Sequence, residues 1–595
     1  MTNLNNDPPI LPNRCPKSCQ IIGPSAESTE TIQWPVYDLI VIGGGINGTG
    51  IARDAALRGL SVLMLEKNDF GSGTSAYSSR LIHGGLRYLA NLELDLVYES
   101  LAERELLLKN APHLVRPLAL GLPAYRGGKT PFWMIELGMW MYDALSVFKS
   151  LPWHRMFSAA AFAERYPSLS QRNLQGGTVY YDAQVEFPEL ICVENAMAAK
   201  ATGYASMLNH AQVVDFELKN GRITGVEFED TLTGQRYQVQ GKGVINAAGP
   251  WLDQVIALTP MDTVRPASTL RPRIGGTLGT HIVIPRFASG PDTALYVEAE
   301  SDGRPFFIIP WRKDFYLIGT TDLPFTGDLD QAAGSLEEVH YLLRETNRVL
   351  PQANLSVNDV LYSYAGVRPL PAVTADQPGK ISRKHWIEDH ARDTRNPIQG
   401  LVSVIGGKLT TYRNLAQATV DTAVRAFDLR LPHGQKVPKS ATQHLPLPGG
   451  TGIASIERYK ADHMAAASQR FQVAPEVIAH LIDLYGSGYD QVLSLLSENE
   501  AWKQPLCSAG LDIRAQVIFA IRKQMACTVS DVMLRRIGCA FNADAGMQSV
   551  QQVAQDMATE LGWGFSRIEQ EVQQYRALIQ ARHLHFRAAS AVATA

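Results

Sequence analysis

Residues 36–87 read VYDLIVIGGGINGTGIARDAALRGLSVLMLEKNDFGSGTSAYSSRLIHGGLR and decide the fold class of the chain. The apolar, β-branched run at 37–42 predicts a buried parallel strand, and residues 51–58 predict a helix that is rich in small alanines. A second strand is predicted at 61–65. Between the first strand and the helix lies a G-x-G-x-x-G loop formed by Gly43, Gly45 and Gly48. This order predicts an α/β domain that binds a dinucleotide.

Glycine is expected at each of these three positions for a physical reason. Gly43 allows the tight turn, Gly45 lets the backbone approach a pyrophosphate, and Gly48 lets the helix lie close to the strand. The N–H groups and the positive end of the helix then face the phosphates. Glu66 closes the second strand, where a carboxylate can hold a ribose 2′-hydroxyl. The alternative is a glycine-rich turn in some other α/β domain, and the complete strand–loop–helix–strand order disfavours it.

The residues after Glu66 distinguish between the dinucleotides. An acid at this position argues against NADP but suits both NAD and FAD. It is followed by a hydroxyl-rich loop at 70–80, which a flavin enzyme needs around the pyrophosphate and ribityl chain and a simple NAD domain does not. We therefore predict FAD. The cofactor-binding residues predicted from this part of the chain are Thr74, Ser75, Ser79, His83, Gly84 and Gly85.

Several blocks of the chain carry a resemblance to one family. GGGING at 43–48, SSRLIHGGLRY at 78–88 and LAERE at 101–105 resemble FAD-dependent (aerobic, respiratory) glycerol-3-phosphate dehydrogenase, of the D-amino-acid-oxidase-like flavoprotein superfamily. Further matching blocks follow in the same order: NAAGPW at 246–251, IGTTD at 318–322, GVRP at 366–369 and GGKLTTYR at 406–413. The resemblance implies an α/β fold with a Rossmann-like FAD-binding domain, an antiparallel-sheet substrate cap domain and a helical C-terminal domain.

A chain of 595 residues is too long for one hydrophobic core, so several domains are expected. The predicted segments are a disordered tail at 1–34, an FAD-binding domain at 35–430 with the cap interleaved at about 88–210 and 260–365, a linker at 431–452, and a helical C-terminal domain at 453–595. The tail is polar and lacks periodicity, and the linker is rich in Pro, Gly and His. We assign the C-terminal helices to packing or to self-association as a homodimer.

Bulk composition excludes some classes of function. Apolar residues make up 45% of the chain and charged residues 19%, as in soluble globular proteins. The formal net charge of −3 gives no basic surface for nucleic acid. The six cysteines do not have the paired spacing of zinc ligands, so no metal site is predicted. A reducing compartment is expected for them.

No segment is predicted to span a membrane. The most apolar stretch, 132–148, is shorter than the roughly 20 residues that a span needs, and it carries Glu136 and Asp143. We expect it to form a buried helix of the cap domain, and the alternative is a surface that enters one leaflet. The resemblance implies a cytoplasmic enzyme attached peripherally to the cytoplasmic face of the inner membrane, because its electrons must reach quinone.

The resemblance also implies cofactor contacts further along the chain. A hairpin is predicted at 212–228, and in this superfamily such a segment returns to the FAD domain, with Val213 or Val214 as a backbone clamp for the adenine. A buried strand at 244–249 passes close to the pyrophosphate, and a helix at 410–425 points its N-terminus at the flavin. The cofactor-binding residues predicted from these segments are Val214, Ala247, Gly249, Gly407, Lys408, Leu409 and Thr410.

A phosphate ester substrate calls for arginine and lysine, and arginine provides bidentate geometry. The positions in the matching blocks that the resemblance assigns to this role are Arg87, Arg368, Arg383 and Lys408, with Tyr88 as a neighbouring donor. The block around Arg383 is the weakest of these matches.

Two histidines compete for the proton of the substrate hydroxyl. A neutral imidazole suits a general base near pH 7, and both His83 and His281 are candidates. We place His281 and Arg368 nearest the reacting hydroxyl, with His83 beside the flavin. The family often has a lysine where this chain has Leu278, so the cation of that lysine is lost here.

The resemblance, together with these residues, implies a reaction. It is the oxidation of sn-glycerol 3-phosphate to dihydroxyacetone phosphate by hydride transfer to FAD N5, with the electrons passed to a quinone. Three alternatives stay open. One is an oxidase that uses oxygen, and another is a FAD enzyme for an amino or hydroxy acid, which the group of cations disfavours. The third is a non-catalytic flavin-binding scaffold, which would be expected to have lost Arg368, Lys408 or His281.

Overall fold

The computed structural model describes residues 34–90, 92–259, 272–372, 385–394, 397–508 and 510–581, apart from the side chains of Arg87 and Ala90. The tail predicted at 1–34 lies outside the described residues except for Trp34. The candidate substrate ligand Arg383 also lies outside them.

Nineteen strands are present in the described ranges. They are β1 (Leu39–Ile42), β2 (Val62–Leu65), β3 (Leu81–Ile82), β4 (Val115–Tyr125), β5 (Arg155–Ser158), β6 (Leu174–Val185), β7 (Ala205–Leu208), β8 (Ala211–Lys219), β9 (Arg222–Asp230), β10 (Gln235–Gln240), β11 (Val244–Asn246), β12 (Thr277–Pro285), β13 (Ala294–Glu298), β14 (Pro305–Trp311), β15 (Phe315–Gly319), β16 (Leu323–Pro324), β17 (Tyr362–Arg368), β18 (Trp386–Asp389) and β19 (Leu401–Ile405).

Sixteen α-helices are present in the same ranges. They are α1 (Ile46–Leu57), α2 (Leu86–Ala90), α3 (Leu94–Asn110), α4 (Phe132–Leu145), α5 (Ala159–Arg165), α6 (Pro188–Ala201), α7 (Leu252–Ala257), α8 (Leu336–Val349), α9 (Tyr412–Ala426), α10 (Ile456–Phe471), α11 (Pro475–Tyr485), α12 (Tyr489–Ser494), α13 (Arg514–Arg522), α14 (Val529–Arg535), α15 (Val550–Leu561) and α16 (Phe565–Ile579).

The first sheet has six strands in the order β18-β19-β11-β1-β2-β7. All its pairs are parallel except that of β18 with β19. Its central strand β1 is fully buried, because helices α1, α6 and α9 cover one face and the β8–β10 hairpin sheet packs on the other. At the carboxyl edge, Ile42 lies between Leu65 and Asn246, so the loops after β1, β2 and β11 meet there. The predicted Rossmann-like domain is confirmed.

The second sheet is largely antiparallel and has the order β16-β12-β15-β14-β13-β4-β6-β3, with β17 paired to β12 and β5 to β6. Its strand β3 comes directly after the loop that follows Glu66, so the two sheets are joined through this loop. Strand β12 pairs with both β15 and β17, which places His281 opposite Gly319 and Tyr364. The predicted antiparallel cap is confirmed.

The C-terminal part is helical, as predicted, and buried ion pairs fix it to the FAD-binding part. Asp69 lies just after β2, is fully buried, and accepts hydrogen bonds from Arg536 at 2.9 Å and from Arg535 at 2.5 Å. Asn209 donates to the same carboxylate at 2.9 Å.

The expectation of a buried helix at 132–148 is wrong. Helix α4 forms there, but among its residues only Met139, Tyr142 and Asp143 are buried. Trp133 and Trp140 are 63% and 54% exposed. An all-round apolar helix is normally buried, and the sequence pattern alone could not show that this one presents its apolar face outward. In the described residues, no helix combines the length and hydrophobicity needed to cross a bilayer.

The Asp69–Arg536 pair predicts a large stability effect. In Asp69→Asn the buried guanidinium of Arg536 loses its counter-charge, and we expect a loss of about 3–5 kcal/mol in unfolding free energy. Denaturant unfolding followed by circular dichroism measures it. The control is Asp330→Asn, which breaks an exposed ion pair with Lys67 and should cost less than about 1 kcal/mol. Equal effects of the two variants would contradict the assignment.

Candidate active site

Packing requires glycine at two of the three motif positions in the loop after β1. Gly43 has φ +101°, and a Cβ there would lie 2.7 Å from the carbonyl oxygen of Ala247. A Cβ at Gly48 would lie 1.8 Å from the carbonyl oxygen of Gly43. At Gly45 a Cβ would contact only Ser75 Oγ, at 3.4 Å. Protein packing therefore does not require glycine at this position. The close approach of a phosphate group explains it instead.

The predicted adenosine contacts lie together at the end of β2. Glu66 accepts hydrogen bonds from the N–H of Gly44 at 2.6 Å and of Asn68 at 2.9 Å, and burial raises the pKa of its carboxyl. The N–H of Ala211 donates to the carbonyl of Glu66 at 2.7 Å, so β8 begins beside this acid. Val214 is the extra residue of a β-bulge in β8, three residues after Ala211.

The hydroxyls of the loop at 70–80 join it to three other elements. Ser75 Oγ accepts the N–H of Ile46, the first residue of α1, at 3.0 Å. Thr74 Oγ1 donates to the carbonyl of Val367 in β17 at 2.7 Å. Ser79 Oγ lies 2.9 Å from Nε2 of His281 in β12. The loop is therefore held between the FAD-binding part and the cap, and we call residues 70–85 the flavin loop.

The end of the flavin loop meets the turn that precedes α9. The N–H of His83 donates to Thr410 Oγ1 at 3.1 Å. The N–H of Gly84 donates to the hydroxyl of Tyr142 at 3.0 Å, and a Cβ at Gly84 would lie 2.5 Å from that oxygen. Gly407 has φ +103°, and a Cβ there would lie 2.7 Å from Asn47 Nδ2. The three loops predicted to bind the cofactor thus come together.

His281 is a buried, neutral imidazole. It is 2% exposed and stacks on Tyr364 with ring centroids 4.9 Å apart. Burial, together with the guanidinium groups of Arg368 and Arg80, lowers the pKa of His281 well below its ordinary value of 6.5. Its Nε2 faces Ser79, and its Nδ1 is buried without a hydrogen-bond partner in the described structure. A neutral imidazole with one unengaged nitrogen can accept or hold a substrate proton.

Arg368 is oriented by residues of the turn after β15. It donates to Asp322 Oδ1 at 2.9 Å and to Thr320 Oγ1 at 3.0 Å. It also donates to the carbonyl of Thr321 at 3.2 Å. Its side chain is 18% exposed. The structure therefore brings the predicted pair of Arg368 and His281 into one neighbourhood, with Asp322 as the fixed counter-charge.

Asp322 and Glu338 were missed by the sequence analysis. Glu338 is buried on α8 and accepts hydrogen bonds from Thr280 Oγ1 at 2.8 Å and from Thr321 Oγ1 at 2.6 Å. Its other oxygen caps α8 through Ser335 at 2.9 Å. Asp322 could have been identified, because it is the acid of the matching block at 318–322. The Ser335-x-x-Glu338 pattern marks Glu338 only as a helix-capping acid, and its bonds to Thr280 and Thr321, which lie elsewhere in the chain, leave no local signal.

The second group of predicted substrate ligands centres on Lys408. Its ammonium lies 3.7 Å from the ring centroid of Tyr88 and donates to Ser100 Oγ at 3.2 Å. Arg87 lies next to Tyr88 at the start of α2, and its side chain is outside the described atoms. His83 has an edge-to-face contact with Phe307 of the cap sheet, at 6.3 Å between centroids.

Leu278 is a packing residue. It pairs with Val367 and Leu323 in the neighbouring strands, is 6% exposed, and belongs to a small apolar cluster with Ala365. The side chain at this position therefore stabilises the cap sheet and brings no charge to it.

Comparisons with known proteins agree with this geometry. A family model described as FAD dependent oxidoreductase matches residues 38–413, and one described as the C-terminal domain of alpha-glycerophosphate oxidase matches residues 440–568. A glycerol-3-phosphate dehydrogenase of Synechocystis sp. is 42% identical over 548 residues, 91% of this chain and 96% of that protein. The aerobic glycerol-3-phosphate dehydrogenase of Escherichia coli K12 is 38% identical over 457 residues, 77% of this chain and 85% of that protein.

The chain belongs to the FAD-dependent glycerol-3-phosphate dehydrogenase family. The crystal structure of the glycerol-3-phosphate dehydrogenase from Bacillus halodurans complexed with FAD matches it with a TM-score of 0.72 and 28% identity. That match covers 92% of this chain and 95% of the other.

FAD is the cofactor of this family member, and the residues present fit it. Gly45 and Gly249 leave room for a close ligand, since a Cβ at Gly249 would meet nothing within 4 Å. Two polar atoms near these loops are buried without a hydrogen-bond partner in the described structure: Asn47 Oδ1, in the first turn of α1, and Thr411 Oγ1, just before α9. Such atoms are normally satisfied by a ligand or by water.

Gly45 provides a direct test of the cofactor site. Gly45→Val should fold, because a Cβ there meets only Ser75 Oγ at an ordinary contact distance of 3.4 Å, and should weaken FAD binding by about tenfold or more by blocking the phosphate approach. The measurement is a fluorescence titration of the apoprotein with FAD. Gly564→Val, where a Cβ would also meet nothing within 4 Å, is the control and should bind FAD like the native chain. Unchanged FAD affinity in Gly45→Val would refute the assigned pyrophosphate position.

Glu338 is predicted to position Arg368 and His281 through the two threonines that it binds. Glu338→Gln should lower kcat/KM about 10- to 100-fold with unchanged FAD content, because small displacements of reacting groups are costly. Steady-state kinetics with a soluble dye as acceptor measures it. The matched control is Glu345→Gln, a buried acid of the same helix that binds Arg348 and the N–H of Glu300. If both variants kept native kcat/KM, this role of Glu338 would be wrong.

Proposed function

We propose that this chain oxidises sn-glycerol 3-phosphate to dihydroxyacetone phosphate and passes the electrons to a quinone. The dehydrogenase names of its relatives support this activity, and the same names favour it over the oxidase alternative. The single observation that carries the proposal is the pairing of a buried, neutral His281 with Arg368 at the flavin loop. Bound FAD supplies the hydride acceptor.

In the proposed mechanism His281 takes the proton of the C2 hydroxyl. Ser79 holds the ring through Nε2. Burial and the two guanidinium groups lower the pKa of His281, so the imidazole is neutral before the reaction and one ring nitrogen carries the lone pair that takes the proton. Arg368 stabilises the charge that develops on the C2 oxygen, and Asp322 and Thr320 hold its guanidinium in place. The cap sheet buries His281, which is 2% exposed.

The phosphate of the substrate is assigned to Lys408 and its neighbours. Lys408 lies over the Tyr88 ring, and Arg87 is adjacent in the chain. We propose Lys408, Arg87, Tyr88 and Arg383 as the phosphate ligands. A dianion requires several hydrogen-bond donors, most of them positively charged. His83 is proposed to lie beside the flavin, because its N–H is bound to the turn before α9.

Two other functions are less well supported. An amino-acid or hydroxy-acid substrate needs one partner for its carboxylate, and the combination of Arg368 with Lys408 exceeds that need. A scaffold without catalysis would not require a neutral histidine, an oriented arginine and a buried acid to be held together. We also propose peripheral attachment at the cytoplasmic face of the inner membrane, and self-association through the C-terminal helices.

The decisive experiment is anaerobic. We expect sn-glycerol 3-phosphate to bleach the visible flavin absorbance of the FAD-loaded protein, and glycerol or a D-amino acid to leave it unchanged. His281→Asn should bleach about 100-fold more slowly or worse. The control is His390→Asn, which removes another buried histidine with a lowered pKa, bound to Ser403 at 2.7 Å. Adding quinone or oxygen afterwards, with a peroxide assay, identifies the acceptor.

Absence of bleaching in protein that holds FAD would exclude the proposed dehydrogenase. Native bleaching rates in His281→Asn would not affect the substrate assignment, but they would exclude His281 as the base.

A further inference from the structure

Arg80 is a buried charge just outside the proposed active site. It lies between Ser79 and strand β3, and it is 1% exposed. Its two terminal nitrogens donate to the two carboxylate oxygens of Glu189 in α6, at 3.3 and 3.0 Å. Its backbone is left-handed, with φ +57°, a conformation that is uncommon for residues other than glycine. Strained backbone of this kind persists where the surrounding contacts fix it, and it is concentrated at functional sites.

The C-terminal part covers the guanidinium of Arg80. The centre of this group lies 5.1 Å from the ring centroid of Phe541, which follows α14, and 4.9 Å from that of Trp311 in the cap strand β14. Arg536, which lies between α14 and Phe541 in the chain, is bound to the buried Asp69. The ion pair that fixes the C-terminal part therefore also fixes the ring that covers Arg80.

Arg80 is connected to the proposed base in two ways. Its guanidinium lies 5.8 Å from the ring centroid of Tyr364, and that ring stacks on His281 with centroids 4.9 Å apart. The hydroxyl of Tyr364 donates to the carbonyl of Ser78 at 2.9 Å, so the stacked ring is also bound to the flavin loop. The second connection is the backbone, because Ser79, whose hydroxyl lies 2.9 Å from His281 Nε2, directly precedes Arg80.

We propose that Arg80 is a positioning residue, through which the C-terminal part holds two contacts of His281, the stacked ring and the serine hydroxyl, in place. This gives the C-terminal helices a part in the reaction beyond packing or self-association. The proposal rests on the proposed function, because it takes His281 as the base. The contacts that connect Arg80 to His281 do not depend on which substrate is bound.

The charge of Arg80 has an effect that a purely structural side chain would not have. A nearby cation disfavours a second positive charge, so Arg80 opposes protonation of the His281 imidazole. Burial, then Arg368 and then Arg80 lower the pKa of His281, and the acid partner of Arg80 does not cancel its effect. Removing the Arg80 cation should therefore raise this pKa. The other ionisable groups on the elements around His281 include Tyr77, Tyr364, Glu189, Asp322 and Glu338.

The test uses the full FAD-loaded chain. Arg80→Met/Glu189→Gln removes the cation together with its counter-charge, so that no unpaired buried charge remains. Anaerobic bleaching by sn-glycerol 3-phosphate should slow about tenfold or more, because the base is displaced. The acid limb of the pH profile of this rate should move up by about one pH unit. NMR of isotope-labelled histidine, with His281 assigned through His281→Asn, should show the same shift in its titration.

Three further variants separate the charge from the packing. Arg80→Lys keeps a cation but loses the forked contact, so it should bleach slowly with a native pH profile. Phe541→Leu removes the cover from the C-terminal side, and it should slow bleaching several-fold and shift the His281 resonance with native FAD content. The control Arg58→Met/Asp54→Asn removes another buried arginine–carboxylate pair, 2.6 Å apart in α1, and should leave the rate, the pH profile and the resonance native.

A native pH profile and a native His281 titration in folded Arg80→Met/Glu189→Gln would overturn the proposal, and so would an equal shift in the control pair. If the first variant does not fold, a native bleaching rate and an unshifted His281 resonance in Phe541→Leu would overturn it. Absence of bleaching by the native chain would contradict the proposed function, and the histidine titrations would still decide whether Arg80 acts on His281.

Discussion

The close packing of three backbone segments at the end of β1 is the constraint on which the rest of the structure depends. The turn at Gly43 packs against Ala247, just after β11, and against Gly48 of α1 so closely that a Cβ at either glycine would clash with backbone. This contact fixes how α1 leaves the sheet and where the loops after β2 and β11 can run. The phosphate-facing end of α1 and the acid Glu66 take their positions from it.

The flavin loop connects the first sheet to the second. Its hydroxyls bind α1, β17 and β12, and its last residues bind the turn before α9 and Tyr142 of α4. Because Ser79 reaches His281 directly, the position of the proposed base depends on the same loop that surrounds the cofactor. The buried carboxylates of Asp322 and Glu338 complete the arrangement from the cap side.

Sequence reasoning predicted what depends on local pattern. The strand, glycine loop, helix and second strand were found from periodicity and spacing, and the family resemblance supplied the cap and the helical C-terminal part. It could not find Glu338, whose bond to Thr280 spans 58 positions, and it did not assign a role to Asp322, 46 positions from Arg368. The apolar composition of residues 132–148 also led to the prediction of a buried helix, because hydrophobicity does not tell which partner a face contacts.

The most direct test of the account is a crystal structure of the FAD-loaded protein with dihydroxyacetone phosphate. The account predicts the carbonyl oxygen at about 3 Å from the imidazole of His281 and within hydrogen-bond reach of Arg368, with the phosphate at Lys408. A product bound with its phosphate out of reach of Lys408, or with its carbonyl away from His281, would contradict it.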